Sequence, residues 1–363
     1  MNTLREDLHA LAEQAPAVDL AARAVRGGRR RRTTRLIMAS AAVTCLIAGG
    51  GATLLPQMHL APSVVLTPPE TTVLPLPAKG VGPVEQAYRQ SCPMTGDPCA
   101  RRAWRIVTGG GDTYELAEAF EKGPLEVTAD GRRIAYYSSE HRAIVVRDLA
   151  SGRTWKAPLK QPAEDFAVEY ALRLSPGGLR FVVSGWGGRR KPNKLVDVQR
   201  GTVTDLKRGW WPVSVSDGSG PVVLAKPYDM TSQVWVLGHD PITIRDFTYD
   251  YSALASDGRT LARLGQTVDR DRQPMVRRDG SIVVFDAVSG GRETRIPISG
   301  ISKGLYPLRL GGWLNTTEVT TLAAPESPDR PSVVYAVDIR TGKSRELFTL
   351  REDGVKVVPG LVR

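Results

Sequence analysis

The sequence predicts an all-β fold, a β-propeller built from repeated four-stranded units. The first observation behind this prediction is a five-residue phrase in which only an Asp and a Gly recur. It reads DLASG at 148–152, DVQRG at 197–201, DAVSG at 286–290 and DIRTG at 338–342. Each copy follows a short apolar run and precedes alternating polar and apolar residues, which is the pattern of an antiparallel hairpin with a Gly-containing turn.

The spacing of this phrase is the second observation. The Asp residues of successive copies lie 49, 89 and 52 residues apart, so the middle interval covers about two periods. The segment QVWVLGHDPITI, near residue 240, supplies an apolar strand, a Gly turn and a second strand where the missing copy is expected. A period of this kind indicates a repeated structural unit.

A second phrase, which precedes the first within each period, is the third observation. It reads VTADGRRIAYY at 127–137, LSPGGLRFVVS at 174–184, VSDGSGPVVLA at 215–225 and ASDGRTLARLG at 255–265. The unit is therefore strand, turn, strand, variable loop, strand, turn, strand. Four strands that repeat roughly every 40 to 55 residues are typical of a propeller blade.

The number of blades follows from the residues on either side of the repeats. Five units lie between residues 125 and 350, with two further strands expected in WRIVTGGGDTYELAEAF (104–120) and one in GVKVVPGLVR (354–363). A propeller that completes one blade from both termini has no exposed sheet edge at its closure. We therefore expect six blades, with five and seven as the alternatives.

The turn phrases resemble the TolB-like and WD-like propeller repeats of bacterial envelope proteins, over roughly residues 100–363. TADGRRIA and ASDGRTLA match the first turn of such repeats well, whereas SPGGLRFV lacks the Asp and LGGWLNTTEV departs further. The resemblance implies the fold. It leaves the activity open, because propellers serve both as binding modules and as enzymes.

The segment LIMASAAVTCLIAGGGATLL (36–55) contains no charged residue and is predicted to be a transmembrane helix. About 20 apolar residues cross the hydrocarbon core of a bilayer as a helix. An arginine cluster precedes the segment, and its members are Arg29, Arg30, Arg31, Arg32 and Arg35. The positive-inside rule then places residues 1–35 in the cytoplasm and the C-terminal part outside. A cleavable signal peptide is the alternative interpretation.

Two features are expected directly outside the membrane. Residues 56–87 are rich in proline, with seven prolines between positions 56 and 83, and are predicted to form an extended stalk before a propeller over 88–363. Cys92 and Cys99 flank a loop with turn residues, so a disulfide is expected in an oxidising compartment. A metal pair is the weaker interpretation, and the sequence indicates no metal site and no cofactor.

The cytoplasmic head carries Leu4, Leu8 and Leu11 on one face of a predicted helix. The head either sets the topology only or folds on a cytoplasmic partner. Its layout resembles single-pass actinobacterial envelope proteins, some of which accompany extracytoplasmic-function sigma factors. That resemblance implies a sigma factor or other regulator as partner and an anti-sigma role. The head has His9 but no cysteine pair, so no zinc site is carried over.

The formal net charge of +11 comes from scattered basic residues. With the propeller outside the cytoplasm, nucleic acid is not expected as a partner. The segment GWGGRRKPNK (185–194) is a candidate contact for an envelope polymer or a protein. A polar hairpin loop is the alternative interpretation of this segment. Its candidate binding residues are Trp186, Arg189, Arg190 and Lys191.

Catalysis is the less favoured function. There is no G-x-S-x-G motif, and His141 and His239 stand two blades apart without partners at ligand spacing. Carboxylates in DFAVEY (165–170) and DFTYDY (246–251) precede two innermost strands and would reach the axis in an envelope glycan hydrolase or lyase. The sequence favours a propeller that binds a ligand or protein without transforming it.

Overall fold

The computed structural model describes residues 72–89, 103–166, 170–185, 191–228, 231–248, 250–269, 275–327, 330–350 and 355–361. Within these residues, 24 strands form six sheets, and each sheet is one blade. The innermost strands of neighbouring blades lie side by side around a common axis. The six-bladed all-β propeller is thus confirmed. The predicted cytoplasmic head, the predicted transmembrane segment and the predicted stalk up to residue 71 lie outside the described residues.

The strands of blades 1 and 2 are β1 (Val73–Pro75), β2 (Val84–Arg89), β3 (Trp104–Thr108), β4 (Thr113–Leu116) and β24 (Val355–Val357), and β5 (Leu125–Val127), β6 (Arg133–Ser138), β7 (Ala143–Asp148) and β8 (Thr154–Lys156). Those of blades 3 and 4 are β9 (Tyr170–Leu174), β10 (Arg180–Gly185), β11 (Lys194–Asp197) and β12 (Thr202–Asp205), and β13 (Trp211–Val215), β14 (Val222–Tyr228), β15 (Thr231–Val236) and β16 (Ile242–Ile244). Those of blades 5 and 6 are β17 (Thr260–Asp269), β18 (Met275–Asp286) and β19 (Thr294–Pro297), and β20 (Leu305–Trp313), β21 (Glu318–Pro325), β22 (Val333–Asp338) and β23 (Ser344–Thr349). One turn of 3-10 helix spans Ala163–Phe166.

In blade 5 the innermost position is held by the irregular segment 251–255. Its contacts with β17 are an isolated bridge between Tyr251 and Arg263 and a hydrogen bond from the Ser252 N–H to the Ala262 carbonyl at 2.8 Å. Blade 5 therefore follows the same plan as its neighbours, with its first strand reduced to a short extended stretch.

The recurrent Asp-to-Gly phrase forms the turn between the third and fourth strands of a blade. The Asp148 carboxylate accepts a hydrogen bond from the Ser151 N–H at 2.9 Å, and the Gly152 N–H donates to the Asp148 carbonyl at 2.8 Å. Gly152 has a φ of +75°, which glycine adopts without strain. The turns at Asp286 and Asp338 repeat both contacts. The turn function of the phrase is confirmed.

The ring closes through both ends of the propeller. The C-terminal strand β24 pairs antiparallel with β2, with Ala87 opposite Val357, and so becomes the innermost strand of blade 1. Strands β2, β3 and β4 complete that blade. Closure from the two termini agrees with the sequence-based expectation.

The structure corrects the expectation that the stalk extends over residues 56–87, because residues 72–89 belong to blade 1. Strand β1 pairs parallel with β4, with Val73 opposite Thr113, and β2 is the second strand of the blade. The physical reason is burial, since Val81 and Val84 are removed from water and pack in one cluster with Trp104.

Residues 72–81, called here the N-terminal strap, also fasten blade 1 to blade 2. The Arg147 guanidinium donates to the carbonyls of Pro77 and Ala78 at 2.5 and 3.0 Å. The Gly80 N–H donates to the Ala150 carbonyl at 2.9 Å, in the Asp-to-Gly turn of blade 2. The backbone of the strap thus joins two blades, through hydrogen bonds to the Arg147 side chain and to the Ala150 carbonyl.

The hydrophobic core lies between the blades. Trp104, Ile106, Leu125 and Tyr136 pack together between blades 1 and 2, and an equivalent cluster around Phe181 lies between blades 2 and 3. Full burial of such a side chain contributes about 1.5 to 3 kcal/mol. These contacts hold the blades in a fixed arrangement around the axis. Within the described part of the chain, no helix has the length and apolar character that a membrane crossing requires.

Candidate functional site: a cavity on the propeller axis

A cavity of about 480 Å³ lies on the axis, and all six blades contribute to its wall. Its lining residues lie at the end of the propeller where the first and second strands of a blade are joined by turns. The wall is formed where each innermost strand runs into its turn. The contributing stretches, in order of blades 1 to 6, are 360–361, 126–129, 173–176, 213–216 with Pro221, 253–256 with Gly258, and 312–313.

Small and uncharged side chains make up most of the wall, which leaves the axis open. The small residues include Ser175, Ser214, Ser216, Ala253, Ala255, Ser256, Gly258 and Gly312. Larger apolar side chains come from Leu254, Trp313 and Leu361. The Trp313 indole N–H donates to the Ala253 carbonyl at 2.7 Å, which fixes the orientation of the ring. The cavity therefore has room for a small molecule and an apolar part to receive one.

Two ionisable side chains line the cavity among the described residues, and they carry opposite charges. Glu126 lies in the innermost strand of blade 2 and Arg173 in that of blade 3. Their side chains are 7% and 6% exposed, and the Arg173 Nη1 lies 3.6 Å from the Glu126 Oε2. The same Nη1 donates to the Leu172 carbonyl at 2.8 Å. Charges buried to this extent cost several kcal/mol each to remove from water. Because the two charges are opposite, their attraction offsets part of this cost and the pair adds no net charge to the cavity wall.

The chain's C-terminal residues form one side of the cavity. Leu361 makes an isolated antiparallel bridge with Gly311 of blade 6. Gly360 has a φ of +70°, and a Cβ added there would lie 3.2 Å from the Ala129 side chain of blade 2. The segment after β24 therefore passes between blades 6 and 2 at close range and completes the ring of contacts around the cavity.

The carboxylates expected to reach the axis are held elsewhere, in ion pairs. Asp165 accepts from the Lys191 ammonium at 2.7 Å. In the second acidic segment, Asp246 pairs with Arg263, which is 3% exposed, and Asp250 pairs with Arg278. None of the three carboxylates lines the axial cavity. These three carboxylates therefore do not form the axial cavity, because each lies in the chain segment between two blades and pairs with a cation there.

The structure describes only one of the proposed binding residues outside the axis. Lys191 is bound to Asp165 while its side chain stays 55% exposed. The other proposed residues lie outside the described part of the chain, namely Trp186, Arg189, Arg190, Leu4, Leu8, Leu11, Cys92, Cys99 and the arginine cluster from Arg29 to Arg35. His141 and His239 both lie in turns. The described residues contain no grouping of three His, Cys, Asp or Glu side chains suited to a metal ion.

Sequence reasoning missed Glu126 and Arg173. They are separated by 47 positions and each stands alone in an apolar innermost strand, LEV and YALRL. The available signal was that one charged residue interrupts the apolar run directly before the first turn in two consecutive units. A charge at a position that the fold places beside the axis is a stronger indication of a site than one in an exposed loop.

Comparison with known proteins shows a similarity in fold and does not assign the chain to a family. No protein-family model matches the chain, and no curated protein matches it. Among solved structures, the chain is similar to TolB from Acinetobacter baumannii, with 16% identity over 76% of this chain and 66% of that one and a TM-score of 0.47. It therefore spans just under two thirds of the length of that TolB.

Two further solved structures show a likeness of the same order. One is a putative TolB from Agrobacterium tumefaciens, with 15% identity, coverage of 76% of this chain and 89% of that one, and a TM-score of 0.44. The other is an oligogalacturonate lyase from Vibrio parahaemolyticus, with 11% identity, coverage of 69% and 72%, and a TM-score of 0.42. At these identities the likeness concerns the fold alone, and the assignment of six blades rests on the sheets described above.

Proposed function

We propose that the protein is a membrane-anchored, extracytoplasmic binding module that takes its ligand in the axial cavity. The observation that carries the proposal is a cavity of about 480 Å³ walled by all six blades. Its volume lies within the range of about 300 to 1,000 Å³ that is usual for small-molecule sites. Because the wall is built into all six blades and the segments that join them, the site is present before a ligand arrives, and little ordering free energy opposes binding.

The composition of the wall supports binding over catalysis. Glycoside hydrolysis by the usual route employs two carboxyl groups about 5 to 9.5 Å apart. The described wall presents the single carboxylate of Glu126, and the guanidinium of Arg173 lies 3.6 Å from it. A pair of opposite charges suits electrostatic recognition of a ligand, whereas the described wall offers no second carboxyl group for that route.

The anchor and the signalling role are further parts of the proposal, and they are supported by the sequence. The uncharged segment 36–55 and the arginine cluster before it support an orientation with the propeller outside. The apolar face of Leu4, Leu8 and Leu11 supports docking of the head on a cytoplasmic protein, with a sigma factor as the proposed partner. Ligand binding outside would then be reported to the head through the single span.

A thermal-unfolding experiment on the full-length chain tests the cavity as the binding site. The probes are leucine, glycyl-leucine, glucosamine, galacturonate and phosphoserine, which differ in charge and polarity. The variant Ala255→Trp places a large side chain in the cavity wall, and Ala150→Trp places the same side chain at an exposed outer turn. A ligand at 100 times its Kd stabilises the folded state by about 2.7 kcal/mol. For a folded part of about 290 residues, that corresponds to a rise in Tm of roughly 4 °C.

The proposal expects at least one probe to raise the Tm of the wild type and of Ala150→Trp but not that of Ala255→Trp. A probe that stabilises all three proteins equally binds elsewhere and contradicts the cavity as the site. The same conclusion follows if none of the probes changes the Tm of the wild type.

A further inference from the structure

The charged pair in the cavity defines what a ligand must offer. Glu126 and Arg173 present one negative and one positive group on adjacent strands, with 3.6 Å between the nearest nitrogen and oxygen. A guanidinium has five N–H donors and a carboxylate has about four acceptor positions, so each group can serve a further partner.

Ligands with a net charge fit this pair poorly. An anion attracted by Arg173 would meet the negative charge of Glu126 at the same place, and a cation attracted by Glu126 would meet Arg173. In a cavity of low polarity the repulsive member of each combination is screened little. A ligand that carries both charges, a few ångströms apart, is attracted by both residues.

The α-amino acid zwitterion has this arrangement, because a single carbon atom joins its ammonium and carboxylate groups. Its carboxylate can accept hydrogen bonds from the Arg173 fork, and its ammonium can donate to Glu126. The apolar residues Leu254, Trp313 and Leu361 line the same cavity and offer a place for a side chain. The hydroxyl groups of the wall supply neutral contacts around the polar end.

We infer that the axial cavity binds a free α-amino acid with an apolar side chain, with the carboxylate at Arg173 and the ammonium at Glu126. This inference rests on the proposed function, since it names the ligand class of the same cavity.

Calorimetric titration of the full-length chain with leucine and its capped derivatives tests the inference. N-acetyl-leucine retains the carboxylate and lacks the ammonium, whereas leucinamide retains the ammonium and lacks the carboxylate. Loss of either charge leaves one buried group of the cavity without its ligand partner. We expect each derivative to bind more than about tenfold more weakly than leucine.

A pair of double variants assigns the recognition to the two residues. Glu126→Gln with Arg173→Met removes both charges and keeps similar volumes, which avoids a lone buried charge. The matched control is Glu318→Gln with Arg345→Met, which removes an ion pair of 2.9 Å in blade 6 outside the cavity. The first double variant is expected to lose more than about tenfold in leucine affinity. The control is expected to bind as the wild type does, and a circular dichroism spectrum verifies that both are folded.

The outcomes separate this inference from the proposed function. Leucine that binds no more tightly than its capped derivatives, or equally well to the cavity double variant, overturns the inference. If leucine fails to bind while another probe is blocked by Ala255→Trp, the amino-acid inference is wrong and the binding function stands. If Ala255→Trp blocks no probe, both are wrong. The capped derivatives decide the matter even if the cavity double variant does not fold.

Discussion

Replacement of Gly342 by alanine, compared with the same change at Gly201, tests the view that an Asp-to-Gly turn can also be a docking point between blades. Both glycines end a copy of the phrase and have similar φ values, +72° and +67°. Around Gly201 an added Cβ would meet no atom within 4 Å. At Gly342 the Cβ would lie 1.9 Å from the Pro297 carbonyl oxygen and 3.0 Å from the Ile296 side chain.

The expected magnitudes follow from these surroundings. A non-glycine residue in the left-handed region costs about 1 to 2 kcal/mol. Alanine recovers roughly 0.4 to 1 kcal/mol of this through the unfolded chain. Gly201→Ala should therefore destabilise the protein by about 1 kcal/mol. Gly342→Ala must in addition displace Pro297 and the segment that follows it.

That segment is held to blade 6 by two backbone hydrogen bonds of 2.8 Å, from the Ser299 N–H to the Gly342 carbonyl and from the Ser344 N–H to the Ser299 carbonyl. Each such bond contributes about 0.5 to 1.5 kcal/mol. Together with the shared backbone cost, Gly342→Ala should destabilise the protein by about 3 kcal/mol.

Urea unfolding of the two variants and the wild type measures the difference, and an unchanged m value is the condition for comparing midpoints. We expect Gly342→Ala to be about 2 kcal/mol less stable than Gly201→Ala, through the contacts given above. Equal stability of the two variants would show that Pro297 moves at no cost. The role assigned to the turn as a docking point would then be refuted.

Four further outcomes are expected. Burial alone would raise the pKa of Asp286, but hydrogen bonds from the Ser289 N–H and the Arg259 guanidinium outweigh it and lower the pKa to about 2. The stabilisation from this lowered pKa is present above the unfolded pKa of about 3.9 and is lost as the pH falls toward 2. The free energy of unfolding in urea should therefore fall less steeply over this pH range in Asp286→Asn than in the wild type. An unchanged pH dependence contradicts this. Arg147→Met should release the strap, so that hydrogen exchange at the Gly80 amide accelerates while exchange in β22 does not, and equal protection of Gly80 would refute the contact. Thiol labelling of the unreduced, denatured chain should modify Cys45 at most, and two more labelled thiols would exclude the proposed disulfide. Protease added outside intact cells should digest the propeller and spare the head, whereas a protected propeller would reverse the proposed topology.

Much of the fold was predictable because its signals are local. In DLASG the turn is held by hydrogen bonds within the five residues, from the Ser151 N–H to the Asp148 carboxylate and from the Gly152 N–H to the Asp148 carbonyl. Five residues therefore suffice to specify it. The alternation of apolar residues on either side specifies the strands. Repetition of these local units at a regular interval indicated the propeller and the closure from both ends. Strands β1 and β2 escaped prediction, because the prolines around them favoured a stalk and the strands form on partners more distant along the chain.

The candidate site, unlike the turns and strands, could not be predicted from local sequence signals. The composition of the acidic segment from Asp246 to Tyr251 predicts chemistry at the axis, but Arg263 and Arg278 bind its carboxylates away from the cavity. Glu126 and Arg173 stand in apolar strands with nothing nearby in the sequence to mark them. Their pairing depends on which strands face the axis and on how neighbouring blades are rotated.

The sequence by itself determined the turns, the strand pattern, the period of the repeat and the expected topology of the N-terminal region. Each of these depends on residues close together in the chain, or on hydrophobicity summed over one segment. The axial cavity, the Glu126–Arg173 pair, the strap bound by Arg147 and the register in which β24 closes on β2 were decided only by the tertiary structure. They join residues far apart in sequence, and their free energies of contact exist only once the blades have packed around a common axis.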